Sequence, residues 1–138
     1  MRVEDLDLLA SRFQSCTISK PEWTHQAHLR VGAWHVHRFG ADEAIRLLRT
    51  GIRCLNDSHG TPNSESRGYH ETITIAYVRL IARFLSSMPA GVLFEKALEQ
   101  LMESELAGQD FLLGFYTRPL LMSVRARTEW VEPDIAPL

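Results

Sequence analysis

An all-α fold, a single-domain bundle of about five helices with a long polar loop between the third and fourth and an irregular C-terminal tail, follows from three observations on this 138-residue chain. Apolar residues recur at three- and four-residue spacing along most of its length. Capping and stop signals fall where those periodic stretches begin and end. Length and composition, 45% hydrophobic and 23% charged residues, match one ordinary globular domain able to bury a single core.

The first helix covers residues 3–15, with Leu6, Leu9 and Phe13 at helical spacing and Asp5 and Asp7 near its start, where the helix dipole favours acids. Ser19-Lys20-Pro21-Glu22 reads as a capping box with proline in the first turn, opening a second helix that runs to Phe39 and stops at Gly40. Asp42 begins the third, whose Ala44, Ile45, Leu48, Ile52 and Leu55 form an apolar stripe ending near Asn56-Asp57. Thirteen polar and small residues, 56–68, then make a longer connection than helical bundles normally use, and ordered loops of that length are often functional. A fourth helix from Tyr69 to Ser87 turns Ile73, Tyr77, Leu80 and Phe84 inward, and Met88-Pro89 closes it. Residues 91–108 form a fifth amphipathic helix, beyond which short helices are interrupted at Arg118-Pro119 and the last nine residues run extended. No repeat or second-domain boundary interrupts residues 1–138, which read as one helical domain.

The formal charge of −2 gives no global pull toward nucleic acid or anionic membrane, and no apolar run approaches the roughly 20 residues that span a bilayer. Thirteen of the 15 basic residues are arginine, a planar fork suited to carboxylate or phosphate ligands. Arg46, Arg49 and Arg53 make a basic stripe on the third helix, for which an ordinary solvent face is preferred over nucleic-acid contact because Asp42 and Glu43 sit beside it. Cys16 and Cys54 are far apart in sequence and follow no metal or redox spacing, and the N-terminus lacks a basic segment followed by an apolar one, so a cytoplasmic location is expected.

The six histidines carry the most specific signal. At 100° per residue the second helix places His25 with Leu29, Val36 and Phe39 on the core side and His28 on its flank, one turn from His25. The fourth helix puts His70 in line with Ile73 and Tyr77. If helices two, three and four alternate direction, the starts of the second and fourth lie at one end of the bundle, and His25, His28 and His70 converge. Three buried imidazoles without partners would cost about 1–3 kcal/mol each, so they need a shared partner or a hydrogen-bonded core. A divalent metal ion, zinc or iron, is one solution, with Glu71 as a ligand, an orienting partner or a general base, or simply a charge at the helix start. Tyr69, Arg67 and Thr74 stand near enough to contact a substrate, with Tyr116 and Arg118 as weaker candidates. His59 reads as a solvated loop residue, and His35 and His37 as packing or surface residues. There is no H-E-x-x-H, no second Glu-x-x-His and no phosphate-binding glycine loop.

The segments Glu22–Trp34 (EWTHQAHLRVGAW), Gly68–Val78 (GYHETITIAYV) and Tyr116–Asp134 resemble a family of small bacterial helical proteins with a W-T-H-x-A-H-L segment and a G-Y-H-E-T segment. The likeness runs over most of the chain and implies no particular activity. Two functions are therefore expected in competition. One is a metal-dependent enzyme, a hydrolase or an oxygenase, acting on a small-molecule substrate through a mononuclear site. The other is a non-catalytic binding or interaction module whose inward histidines are hydrogen-bonded. Neither a nucleic-acid nor a membrane partner is expected. A homodimer is left open by Trp23 and Trp34, which the wheel sets opposite the histidines.

Overall fold

The computed structural model describes residues 1–138, and every regular element in it is helical. Seven α-helices are present: α1 (Val3–Gln14), α2 (His25–Phe39), α3 (Ala41–Ser58), α4 (Glu71–Ser86), α5 (Phe94–Glu103), α6 (Arg118–Leu121) and α7 (Val124–Thr128), with 3-10 turns at Lys20–Glu22, Glu105–Ala107 and Phe111–Gly114. The first five are the five expected, with shorter α2, α4 and α5; the last two resolve the irregular tail. None is long and apolar enough to cross a membrane.

The main correction concerns where α2 begins. Glu22 does reach back to Ser19, accepting from its backbone N–H at 3.4 Å and its hydroxyl at 2.6 Å, but the box encloses a single 3-10 turn. The same carboxylate takes a forked pair of bonds from Arg12 of α1, at 2.8 and 2.7 Å, and is held down to a pKa of about 2 mainly by that guanidinium. The chain then breaks at Trp23. Thr24 restarts it, its hydroxyl accepting from the Ala27 N–H at 3.2 Å, so His25 is the first helical residue.

A single apolar side does not describe α2. Ala27, Val31, Ala33, His35 and Val36 are all buried because α1, α3, α4 and α5 surround it, while Phe39, expected inside, is 44% exposed at its end. Small residues allow the close packing this needs. Gly51 of α3 is the sharpest case, because a Cβ there would fall 2.2 Å from the Phe13 ring of α1.

Two connections hold the bundle in place. The end of α1 turns through Cys16, the one non-glycine residue with positive φ (62°), with the Thr17 N–H bonded back to the Arg12 carbonyl at 2.8 Å. Glycine is the usual occupant of that conformation; here Cys16 is tied by a disulfide to Cys54 of α3, across 38 residues of sequence and 6.0 Å between Cα atoms. Disulfides persist chiefly in oxidising surroundings. Sequence spacing is silent on the pair because α1 meets α3 only after folding. The second connection is the long loop, ordered from both sides. The His59 ring donates to the Ile18 carbonyl at 2.7 Å, so it is a tie and not a solvated residue, and Arg127 of α7 donates to the Ser66 and Gly68 carbonyls, both at 3.2 Å.

Candidate functional site

The starts of α2 and α4 do share one end of the bundle, since His25, Ile73 and Tyr77 border a common wall. His70 nevertheless faces away from it. It is not a residue of the first turn but the N-cap of α4, where its Nδ1 accepts from the Ile73 N–H at 3.2 Å and its Nε2–H donates to the Leu121 carbonyl at 2.7 Å. Both ring nitrogens are thus engaged, and the ring is held neutral by burial, which lowers its pKa. A nitrogen that already accepts or donates such a bond has no lone pair for an ion. No three His, Cys, Asp or Glu side chains lie close enough to hold a metal, and the set His25, His28 and His70 does not fit one.

The surrounding candidates are also committed to structure. The Glu71 carboxylate accepts a forked pair from Arg49 of α3, at 3.0 and 2.8 Å, and a 2.6 Å bond from the Tyr69 hydroxyl. Burial pushes Glu71 up, but Arg49 and Tyr69 outweigh it and its pKa ends below the ordinary value, which is unhelpful for a general base. Tyr69 is buried, its hydroxyl raised to about 12 by that burial first and by Glu71 second, and Arg53 covers its ring at 4.8 Å. Arg46 pairs with Glu43, so all three arginines of the basic stripe on α3 are occupied within the chain. Arg67 is an exposed loop residue, and the Thr74 hydroxyl donates to the His70 carbonyl at 2.9 Å. Tyr116 is fully buried, donating to the Val131 carbonyl at 2.8 Å.

Taken together, the G-Y-H-E-T segment and the tail segment are partners in a clasp. His70 holds Leu121, the Thr72 hydroxyl donates to the Glu129 carbonyl at 2.8 Å while accepting from the Val131 N–H at 3.2 Å, and Arg79 lies 4.3 Å above the Trp130 ring. Apart from Arg127 Nε, which is buried without a partner, the buried side-chain donors and acceptors of this region find one another.

The start of α2 differs. His25 Nε2 is buried with no hydrogen-bond partner, and so is the indole N–H of Trp23. Burial lowers the His25 pKa, with a partial opposing pull from the Ala107 carbonyl. His28 keeps an exposed edge, yet its ring lies stacked on Trp23 with centroids 3.8 Å apart, and desolvation, then the neighbouring His25 charge, lowers its basicity. Trp23 therefore stands on the histidine side, packed also on Phe13 at 5.5 Å, and Trp34 donates to Asp7 of α1 at 3.0 Å. Both indole rings pack within the chain, but only the N–H of Trp34 is hydrogen-bonded.

Two cavities meet at His25. The inner one, of about 90 Å³, lies between α2, α3 and α4 and is walled mainly by aliphatic groups, among them Leu48, Ile52 and Ile81. The outer one, of about 210 Å³, opens toward the segment after α5 and presents Gln109, Asp110 and Arg118. His25, Ile73 and Tyr77 line both, and the Tyr77 ring meets His25 edge-on with centroids 5.7 Å apart. A larger surface trough of about 730 Å³ runs between the start of α1 and α5, but its walls are exposed side chains such as Arg2, Lys96 and Glu99 with no buried polar group. A further cavity of about 440 Å³ borders His35, whose Nε2 is also buried without a partner; His25 differs in standing on the wall common to an aliphatic cavity and a polar one. Of the predicted site residues, His25, His28 and Thr74 line these cavities, while His70, Glu71, Tyr69 and Arg67 do not. Tyr77 had been assigned only to the core, and Asp110 and Gln109 had drawn no attention because the periodicity lapses after Gly108.

His35 and His37 serve packing. His35 is 1% exposed, donates to the Val31 carbonyl at 2.7 Å and sits against the Phe13 and Trp34 rings; His37 stacks on Phe94 at 4.2 Å. Comparisons with protein-family models, curated proteins and solved structures returned no match.

Proposed function

We propose that this protein is a small-molecule-binding module whose ligand enters the two cavities that meet at His25. The observation carrying this reading is the unpartnered, buried Nε2 of His25 on the wall common to an aliphatic cavity and a polar one. Leaving such a group unpaired costs about 1–3 kcal/mol, a cost that a ligand hydrogen bond would remove. A concave, mostly apolar site with a few convergent polar groups is the usual form of a ligand pocket. Binding can be measured by thermal shift and Trp23 fluorescence against a panel of small carboxylates, amines and alcohols. A ligand at a hundredfold excess over its Kd adds about 2.7 kcal/mol of stability. Ile52→Phe, which fills the inner cavity, is expected to abolish the shift. If no compound stabilises the wild type, or if Ile52→Phe binds equally well, the reading fails.

A second reading keeps a zinc or iron ion on His25 and His28, favoured by the same unpartnered nitrogen. Two protein nitrogens are fewer than the three ligands that catalytic zinc sites usually supply, so His70 and Glu71 are given no part in it. Metal content of natively purified protein separates the readings. One equivalent, lost in His25→Ala, supports the ion; sub-stoichiometric metal after growth in metal-replete medium argues against it.

A further inference from the structure

The outer cavity carries both signs of charge, and neither charge is used by the chain. Asp110 stands just before the 3-10 turn at Phe111–Gly114 without capping it, and Arg118 is the first residue of α6. The five ion pairs of the molecule lie elsewhere, and neither the Asp110 carboxylate, the Arg118 guanidinium nor the Gln109 amide makes a hydrogen bond within the protein. Beside them, in the clasp and on α3, Arg49 pairs with Glu71, Arg46 with Glu43, and Arg127 bonds the loop carbonyls. Asp110 and Arg118 line one cavity yet do not pair with each other. A ligand bearing one cation and one anion would satisfy both.

Behind these groups, past His25 and Tyr77, lies the aliphatic inner cavity. Its volume of about 90 Å³ corresponds to roughly three water-sized groups at ~30 Å³ each, which matches a short branched hydrocarbon and excludes a long chain or a fused ring. Leu29, Leu48, Ile52, Val78 and Ile81 offer it only carbon, and the Thr74 hydroxyl on its rim is already donating to the His70 carbonyl.

We propose that the two cavities together bind a zwitterionic small molecule, an α-amino acid with a branched aliphatic side chain, with its carboxylate on Arg118, its ammonium on Asp110 and its side chain directed along the shared wall of His25, Ile73 and Tyr77 into the inner cavity. This rests on the reading of the His25 cavities as a small-molecule site and specifies the ligand class. A neutral His25, favoured by its burial, neither repels the ammonium nor competes for the carboxylate, and leaves Nε2 free for one further hydrogen bond. Asp110 and Arg118 are both exposed, so each charged contact is weak and the complex is expected to be modest, with a Kd on the order of 0.1–1 mM.

Isothermal titration of the full chain with L-leucine, 4-methylpentanoate, 3-methylbutylamine and glycine tests the assignment, since each of the last three lacks one recognised group. L-leucine is expected to bind at least tenfold more tightly than any of them. Asp110→Asn should bring leucine down to the level of 4-methylpentanoate, and Arg118→Gln down to the level of the amine. Both positions are exposed, and unchanged melting temperatures would show that the variants are folded. If 4-methylpentanoate or the amine binds wild type as tightly as leucine, the zwitterion proposal is wrong while the cavity reading stands. If none of the four binds and Trp23 fluorescence responds to no compound in the wider panel, both are wrong.

Discussion

Two histidine-bearing helix starts lie at the same end of this bundle, and they have opposite chemistry. At the start of α4, His70, Glu71 and Thr72 spend their polar atoms on Leu121, Arg49, Tyr69, Glu129 and Val131. At the start of α2, His25 Nε2 and Trp23 Nε1 are buried with nothing to bond, and His25 faces two cavities. A polar group that is buried and satisfied stabilises the fold. One that is buried and unsatisfied costs stability and marks where another molecule can bind.

The contrast can be attacked from several sides, beginning with the largest effect. Reducing the Cys16–Cys54 bond opens a loop of 38 residues, which the chain-entropy model values at about 4 kcal/mol. Because the bond lies beside the α1–α2 connection, hydrogen exchange should quicken at residues 15–28 while the first turn of α4 keeps its protection. Uniform loss of protection would mean that the two regions are not separable.

His70→Ala leaves the Leu121 carbonyl and the Ile73 N–H without partners, an expected loss of about 2–3 kcal/mol. At roughly 3 °C per kcal/mol for a chain of this length, the melting temperature should fall by about 6–9 °C. His70→Asn, which can still cap α4, should lose about half as much. A loss below 1 kcal/mol for the alanine variant would show that the clasp is dispensable.

Acid should weaken the same contacts by a smaller amount. His25, His28, His35 and His70 all have folded-state pKa values below the ordinary value, each chiefly through desolvation. The unfolded chain therefore takes up protons first, so the stability these groups contribute is complete above about pH 6.5 and declines as the pH falls below it. Urea unfolding at pH 7.5 and 5.0 should show the decline, and His70→Asn should reduce it by the share of one of the four rings. A protein more stable at pH 5.0 would reverse the sign.

The smallest effect is expected at the open end. His25→Leu removes an unsatisfied nitrogen and a partial contact with the Ala107 carbonyl while keeping an apolar group against Tyr77, so stability should stay within about 1 kcal/mol of wild type or rise. A loss as large as that of His70→Ala would erase the distinction between the two helix starts.

The five main helices were legible because their apolar spacing and stop signals are local, as at Gly40 and at Met88-Pro89. The start of α2 was misread for a tertiary reason: Arg12 recruits Glu22, so a genuine capping pair closes a 3-10 turn and the helix restarts at Thr24. A helical wheel gave the direction of His25 correctly but could not reveal that His70 is tied to the tail, because its partner Leu121 lies 51 residues away. The disulfide was hidden for the same reason. Arg118 stood only as a weaker candidate and Asp110 escaped notice, because a short-helix segment has no periodicity from which a facing direction can be read, and their shared cavity exists only once the tail has folded onto α4.

The central claim, that His70 is a structural cap while His25 faces an open site, is tested most directly by nitrogen-detected NMR of the histidine rings during a titration with one equivalent of zinc at pH 7. His70 should report a neutral Nε2–H ring whose signals do not move, with any response limited to His25 and His28. Zinc shifting His25, His28 and His70 together, with tight one-to-one stoichiometry, would contradict the account and restore a three-histidine metal centre.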